Sequence, residues 1–225
     1  MRLPEERPHS LSPRGLAIAG WTAFVLAGLT FIALAWNVAA HAPVVELDAW
    51  VMDWMQRHRV DALTGAMVAV THANSLAAIG AWSAAFALVL WRMRERYWIL
   101  TLVAAVAGGM VLNGVLKLAY ERARPGGDVL VHLSTFSFPS GHTAAATTFY
   151  GVLAAFLVSR YGEPWKRTAF VLAAVLAVAT VAFSRIYLGA HYPSDVVAAA
   201  SSATAWLVVC LATGHALVRR RMARR

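Results

Sequence analysis

Six long apolar runs, at about residues 16–40, 62–91, 97–119, 140–158, 167–186 and 194–218, constrain this chain more than any other feature. Each is about 20 residues or more, the length a helix needs to cross a hydrocarbon core at roughly 1.5 Å per residue. Lipid offers no partners for backbone N–H and C=O groups, so such runs cross as helices. The expected fold class is all-α: a polytopic membrane protein with six transmembrane helices. Only 14% of the residues are charged, against roughly 25% in soluble domains. A single domain over 1–225 is expected, with 1–15 and 219–225 as cytoplasmic tails.

The formal net charge of +9 raises nucleic acid as a partner, but its distribution excludes that class. The Lys and Arg residues cluster in loops and tails between apolar runs, where they orient spans and attract anionic phospholipids. One side holds Arg2, Arg7, Arg14, Arg92, Arg94, Arg96, Arg160, Lys166, Arg167 and the five arginines of 219–225, in all 14 of the 20 cations. The other holds Arg57, Arg59, Lys117, Arg122, Arg124 and Arg185. The richer side is expected to be cytoplasmic, with both termini there. Ala40-His41-Ala42 has the look of a signal-peptide cleavage site. The apolar run before it is far longer than a signal's roughly 7–15-residue core, so an uncleaved anchor is expected. Cys210 is the sole cysteine, so no intrachain disulfide can form.

Residues 44–59 differ from the spans. Leu47, Trp50, Val51, Trp54 and Met55 recur at helical spacing, while Asp48, Asp53, Gln56 and Arg57 fall elsewhere on the wheel. This pattern predicts an amphipathic helix lying along the outer interface with its tryptophans at headgroup depth. It is either a rim or lid over a site, or a connector that buries its apolar face.

Three polar stretches break the apolar sequence, and each falls at the outer end of a span. In the first, Lys117 and Arg124 are seven apart. If the third span continues outward they share one helical stripe, with Asn113 a turn further in and Pro125 as the stop. An arginine fork with a lysine point charge suits a phosphate. The second, Pro139-Ser140-Gly141-His142, opens the fourth run. A helix's first turn has unpaired N–H groups and seats anions; Ser140 can cap it, Gly141 admits close approach, and His142 stands at the rim. In the third, His191 and Asp195 are four apart with Pro193 suited to a first helical turn, and Arg185 lies six residues before His191. A carboxylate at that distance can fix the imidazole tautomer and leave the other nitrogen free to attack.

These stretches resemble, position for position, the three-part signature of the type 2 phosphatidate phosphatase superfamily, which includes vanadium haloperoxidases. The patterns are Lys, six residues, Arg-Pro; Pro-Ser-Gly-His; and Ser-Arg, five residues, His, three residues, Asp. They occupy 117–195 in order. The resemblance implies His191 as a nucleophile forming phosphohistidine, Asp195 as its orienting partner and His142 as general acid. It implies phosphate binding by Lys117, Arg124, Ser140, Gly141 and Arg185. It further implies no metal or other cofactor, and nothing in the sequence resembles a metal site.

Of the remaining polar residues, His72 with Thr71, Asn74 and Ser75 forms a patch inside the second run, expected as a neutral imidazole hydrogen-bonded between helices. His132 lies in the loop between the first two motifs, against solvent or a headgroup, and Glu121 and Asp128 moderate the local positive potential. The expected function is hydrolysis of a lipid phosphate or diphosphate (undecaprenyl diphosphate, phosphatidylglycerophosphate or phosphatidate) at the outer face of a bacterial cytoplasmic membrane. Undecaprenyl diphosphate is favoured because that carrier is released outside. Two rivals use the same residues differently: a phosphotransferase passing the phosphoryl group to a lipid acceptor, and a non-enzymatic lipid-binding scaffold. A haloperoxidase is disfavoured because those relatives are soluble. The sequence sets no oligomeric state.

Overall fold

A computed structural model describes residues 13–127, 129–131, 135–161 and 163–223. Asp128 and His132, residues 1–12 and 224–225, and the side chains of 217–223 lie outside the described residues, and with them most of both expected tails. The described residues form eight helices and no strand: α1 (Pro13–Ala39), α2 (Pro43–Arg57), α3 (Asp61–Ala73), α4 (Leu76–Arg92), α5 (Arg96–Tyr120), α6 (Gly141–Arg160), α7 (Pro164–Tyr187) and α8 (Pro193–Ala223). Five are long and apolar enough to cross a membrane, or six if α3 and α4 count as one broken span. The protein is a multi-pass membrane protein.

The second apolar run is not one straight helix. It breaks at Asn74-Ser75 and bends by 54°. Backbone groups freed at a break inside a membrane need local partners. Asn74 Nδ2 donates to Val70 O at 2.9 Å, and Ser75 Oγ accepts the Ala78 N–H at 3.2 Å. Tyr150 Oη on α6 donates to Asn74 Oδ1 at 2.9 Å and fixes the bend to the bundle.

α6 is the centre of the bundle: 56% of its span is buried, against 28% or less for the other spans. Its start is buried on every side, since Ala144, Ala145, Ala146, Thr147 and Thr148 are consecutive, and they are small enough for neighbouring backbones to approach. Lipid tails are as apolar as leucine, so packing rather than hydrophobic exclusion holds such helices together. Trp21, Ile32, Leu100, Val111, Leu118 and Leu176 are exposed on the outer surfaces, where the bilayer covers them.

Gly108 and Gly109 let α5 come close to α8 and α6. A Cβ at Gly108 would lie 2.7 Å from the Trp206 ring, and one at Gly109 would lie 3.0 Å from Thr148 Cγ2. The indole is rigid and its Nε1 already donates to Ala104 O at 3.1 Å. Gly108→Ala is therefore expected to cost about 1–3 kcal/mol through overpacking, read as a lower unfolding midpoint in detergent. An unchanged midpoint would show that the helices separate freely there.

α2 does not sit as its wheel suggests. Leu47, Trp50 and Trp54 are exposed, whereas Met52 and the carboxylate of Asp48 are buried. Val51 is half-buried and Met55 packs against Met67, Tyr187 and Leu188, so α2 buries only part of its apolar set. Beside Met52, α2 buries one acid, Asp48, and its partners lie in the site.

Candidate active site

All three polar stretches meet at one end of the bundle, where α5 and α7 finish and α6 and α8 begin. The first differs from the expected helical stripe. α5 ends at Tyr120, and Glu121 takes a left-handed backbone (φ 42°) with its N–H on Lys117 O at 3.0 Å. Residue 124 precedes Pro125, which disfavours helix there. The segment 121–125 runs without helix instead, tied by Ser137 N–H to Arg122 O at 2.8 Å. Residues two apart on an extended chain share a side, so Arg122 and Arg124 both reach the third stretch.

That stretch begins with a tight reversal. Gly189 has φ 77°, a left-handed value that glycine alone adopts without strain. The N–H groups of Ala190 and His191 both return to Arg185 O, at 3.0 and 3.2 Å. The reversal thereby fixes His191 close to the end of α7. Pro193 then starts α8, and Asp195 Oδ2 reaches back to the Tyr192 N–H at 3.0 Å, as an acid at the third helical position does in a capping box.

His191 and Asp195 are both buried, and Nδ1 lies 3.5 Å from Oδ2. This contact is an ion-pair distance, and Nδ1 has no hydrogen bond among the described residues. Catalytic hydrogen bonds are often long before substrate binds. The other nitrogen, Nε2, lies 3.3 Å from Arg124 Nη1. A guanidinium can only donate, so Nε2 is the acceptor and the ring proton sits on Nδ1, facing Asp195. Burial pushes the His191 imidazole down to about 4, against the opposing pull of Asp195. It is neutral at pH 7 with its lone pair on Nε2.

The cations surround that nitrogen. Arg124 is anchored through Nε to Thr135 O and through Nη1 to Ala190 O, both at 2.7 Å. Burial lowers its pKa, partly offset by Asp195. Lys117 Nζ donates to Phe136 O. Arg185 is fully buried, with Nη1 on Thr71 Oγ1, while Nε and Nη2 have no partner among the described residues. Buried polar groups are nearly always satisfied, so two buried N–H-bearing atoms without an acceptor mark a seat for an anion. Ser140 caps α6, its Oγ accepting from Thr143 N–H at 3.5 Å and from Thr143 Oγ1 at 3.1 Å. Its own N–H donates to Asp195 O at 3.1 Å, joining the starts of α6 and α8. Gly141 is the first residue of α6, and an added Cβ would be 3.4 Å from Asn113 Oδ1, so packing alone does not demand glycine there. His142 is half-buried, within electrostatic reach of Arg185, His191, Arg124 and His72.

Two parts of the site escape sequence reasoning. Ser137 Oγ donates to Asp195 Oδ2. Arg122 forks between two buried acids, with Nη1 on Asp195 Oδ1 at 2.6 Å and Nη2 on Asp48 Oδ2 at 2.7 Å. Its guanidinium stacks 4.1 Å above the Tyr192 ring. The available signal was an acid at position 48, inside a tryptophan-rich segment, and the two-residue parity of Arg122 with Arg124. The expectation for His72 needs correcting: it is exposed, and its imidazole makes no hydrogen bond to a described residue. At the end of α3, before the bend, the polar contacts fall to Thr71 and Asn74 instead. An open cavity of about 660 Å³, lined by Lys117, Arg122, Arg124 and Phe136, also touches Leu118 on the lipid-facing side of α5.

Comparison with known proteins finds membrane lipid phosphatases among the relatives. Over 88 residues the chain is 47% identical to phosphatidylglycerophosphatase B of Bacillus subtilis, covering 38% of this chain and 43% of that protein. Over 103 residues it is 35% identical to the lipid A 1-phosphatase of Rhizobium johnstonii, covering 41% and 38% respectively. The matched segments thus span less than half the length of these curated relatives. The crystal structure of the transmembrane PAP2-type phosphatidylglycerolphosphate phosphatase from Bacillus subtilis superposes with a TM-score of 0.78 at 28% identity, over 84% of this chain and 94% of that one. The family model described as PAP2 superfamily matches residues 97–219, more than half of the sequence and all three motifs, and the chain belongs to that superfamily.

Proposed function

We propose that this protein is a membrane lipid phosphatase that works through a phosphohistidine on residue 191. The observation that carries this reading is the neutral Nε2 of His191 beside Arg124, with two unpartnered donors of Arg185 buried nearby. Among the described residues the site holds Lys117, Arg122, Arg124 and Arg185 against Asp48 and Asp195, and both acids are taken up by Arg122. The remaining positive charge calls for an anion. In this reading, Arg124, Arg185, Lys117, the Ser140 hydroxyl and the Gly141 N–H hold the phosphoryl oxygens and stabilise the charge that grows in the transition state. Nε2 attacks phosphorus while His142 protonates the departing lipid oxygen, leaving the phosphoryl group on His191. His142 then takes a proton from water, which displaces phosphate and restores the imidazole.

The lipid chain stays in the bilayer, leaving the site sideways past Leu118. The α3–α4 pair acts as one broken span, giving six crossings with both termini cytoplasmic and the motif end outside. α2 lies along the outer interface on its exposed tryptophans. Undecaprenyl diphosphate, phosphatidylglycerophosphate and phosphatidate are the candidate substrates; the named activities of the relatives favour a lipid phosphomonoester among them. The test is phosphate release from each of the three lipids by purified protein, with His191→Ala as control. Release from at least one, absent in the control, is expected, and no release from any contradicts the reading.

Acid dependence gives a second check. A pKa held near 4 means that His191 stays neutral as pH falls through 6.5 and gains its proton only near 4. The acid limb of kcat/KM, which reports the free enzyme, is expected near pH 4. A limb at 6.5 would show a solvated imidazole instead.

A further inference from the structure

We infer that Asp48 and Arg122 are positioning residues that hold the Asp195–His191 pair in register, an assignment that rests on the phosphatase reading above. The chain of contacts is continuous. Asp48, 2% exposed on α2, accepts from Ser194 N–H at 2.9 Å through Oδ1. Its Oδ2 accepts from Ser194 Oγ and from Arg122 Nη2. Arg122 Nη1 spans Ser194 Oγ at 2.8 Å and Asp195 Oδ1 at 2.6 Å. Asp195 presents its other oxygen to His191. One planar guanidinium therefore sets the plane of the carboxylate that faces the imidazole.

Arg122 borders the cavity beside Lys117 and Arg124, but its guanidinium is turned to the two acids rather than to the phosphate seat. Arg122 spends its contacts on two acids, a serine and the Tyr192 ring, and only 10% of its side chain is exposed. Without it, Asp195 would keep Ser137 and the Tyr192 N–H on Oδ2, the oxygen needed by His191, and would lose its Oδ1 partner. The carboxylate would then rotate toward Oδ2's donors and away from His191. Asp48 is what holds Arg122 against Asp195 Oδ1. The same helix reaches the first motif's loop, because Gln56 Nε2 donates to Gly126 O at 3.0 Å. α2 therefore grips the segments after both α5 and α7, while Trp50 and Trp54 remain exposed on its other side.

The experiment compares wild type, Arg122→Gln, Arg122→Lys, Asp48→Asn and the Arg122→Gln/Asp48→Asn double variant. Each is purified in detergent and assayed for kcat and KM on whichever lipid the wild type hydrolyses. Misplacing a reacting group by about 1 Å costs on the order of 100-fold. Arg122→Gln is expected to lower kcat by about that factor with KM unchanged. Lysine, lacking the planar fork, is expected to restore little. Asp48→Asn should lower kcat by about ten-fold, and the double variant should be no worse than Arg122→Gln alone. A kcat near wild type in Arg122→Gln, a loss confined to KM, or multiplicative losses in the double variant would each overturn the assignment. Should Arg122→Gln not fold, the isosteric Asp48→Asn decides, and wild-type kcat there overturns it. An inactive wild type would instead count against the phosphatase reading itself.

Discussion

His191→Ala is expected to reduce phosphate release by on the order of 10⁴-fold or more, because in the proposed mechanism it removes the atom that attacks phosphorus. The effect should fall on kcat with little change in substrate affinity. The seat for phosphate is built by other residues: Arg124 is anchored by Thr135 and Ala190 backbone carbonyls, and Arg185 by Thr71. Neither depends on the imidazole for its position. The variant should therefore still bind orthovanadate or a lipid phosphate while failing to turn it over, and equilibrium binding beside turnover measures both. A variant that keeps even a tenth of the wild-type rate would move the nucleophile to another group. A scaffold that merely binds headgroups predicts just that insensitivity.

Arg185→Met is expected to abolish activity and yet stabilise the unliganded fold. Arg185 is the largest fully buried side chain, and a threonine hydroxyl is its one hydrogen-bond partner among the described residues. A buried charge with unfilled donors is costly, and well-packed apolar replacements of buried charges often stabilise by about 1–4 kcal/mol. The same donors are worth most to a transition state whose oxygens carry growing charge in a water-poor site. Removing a single such donor costs roughly 10²–10³-fold in kcat, and this substitution removes the whole fork. The unfolding midpoint in detergent should rise while turnover falls. A falling midpoint would mean that Arg185 holds the bundle together rather than waiting for an anion. Functional sites commonly sacrifice stability in this way.

The sequence was most legible where long apolar runs dictate helices. Helix ends at 39, 92, 120, 160 and 187 lie within a few residues of those expected from hydropathy. Lys117, Arg124, Ser140, Arg185, His191 and Asp195 meet at one end of the bundle, because each sits at a span terminus and consecutive spans alternate in direction. Hydropathy fails where polar side chains act over long separations. Asp48 looks solvated on a helical wheel, since its partners Arg122 and Ser194 stand 74 and 146 residues away. In the sequence Arg122 is only one more outer-face cation, because a helix continued to Arg124 would point it away from its neighbour. The left-handed turn at Glu121 changes that parity. The bend after Ala73 is equally hidden, since Asn74 and Ser75 read as one polar patch within an unbroken run until their bonds to Val70 and Ala78 are known.

Turnover by the proposed mechanism requires a covalent bond between phosphorus and one imidazole. A lipid substrate carrying radioactive phosphate, mixed with the protein and quenched in alkali within a turnover, tests that bond. The label should stay on the chain, survive base, leave in acid and map to the peptide containing His191. Label that never becomes protein-bound, or that maps to His142, would contradict it.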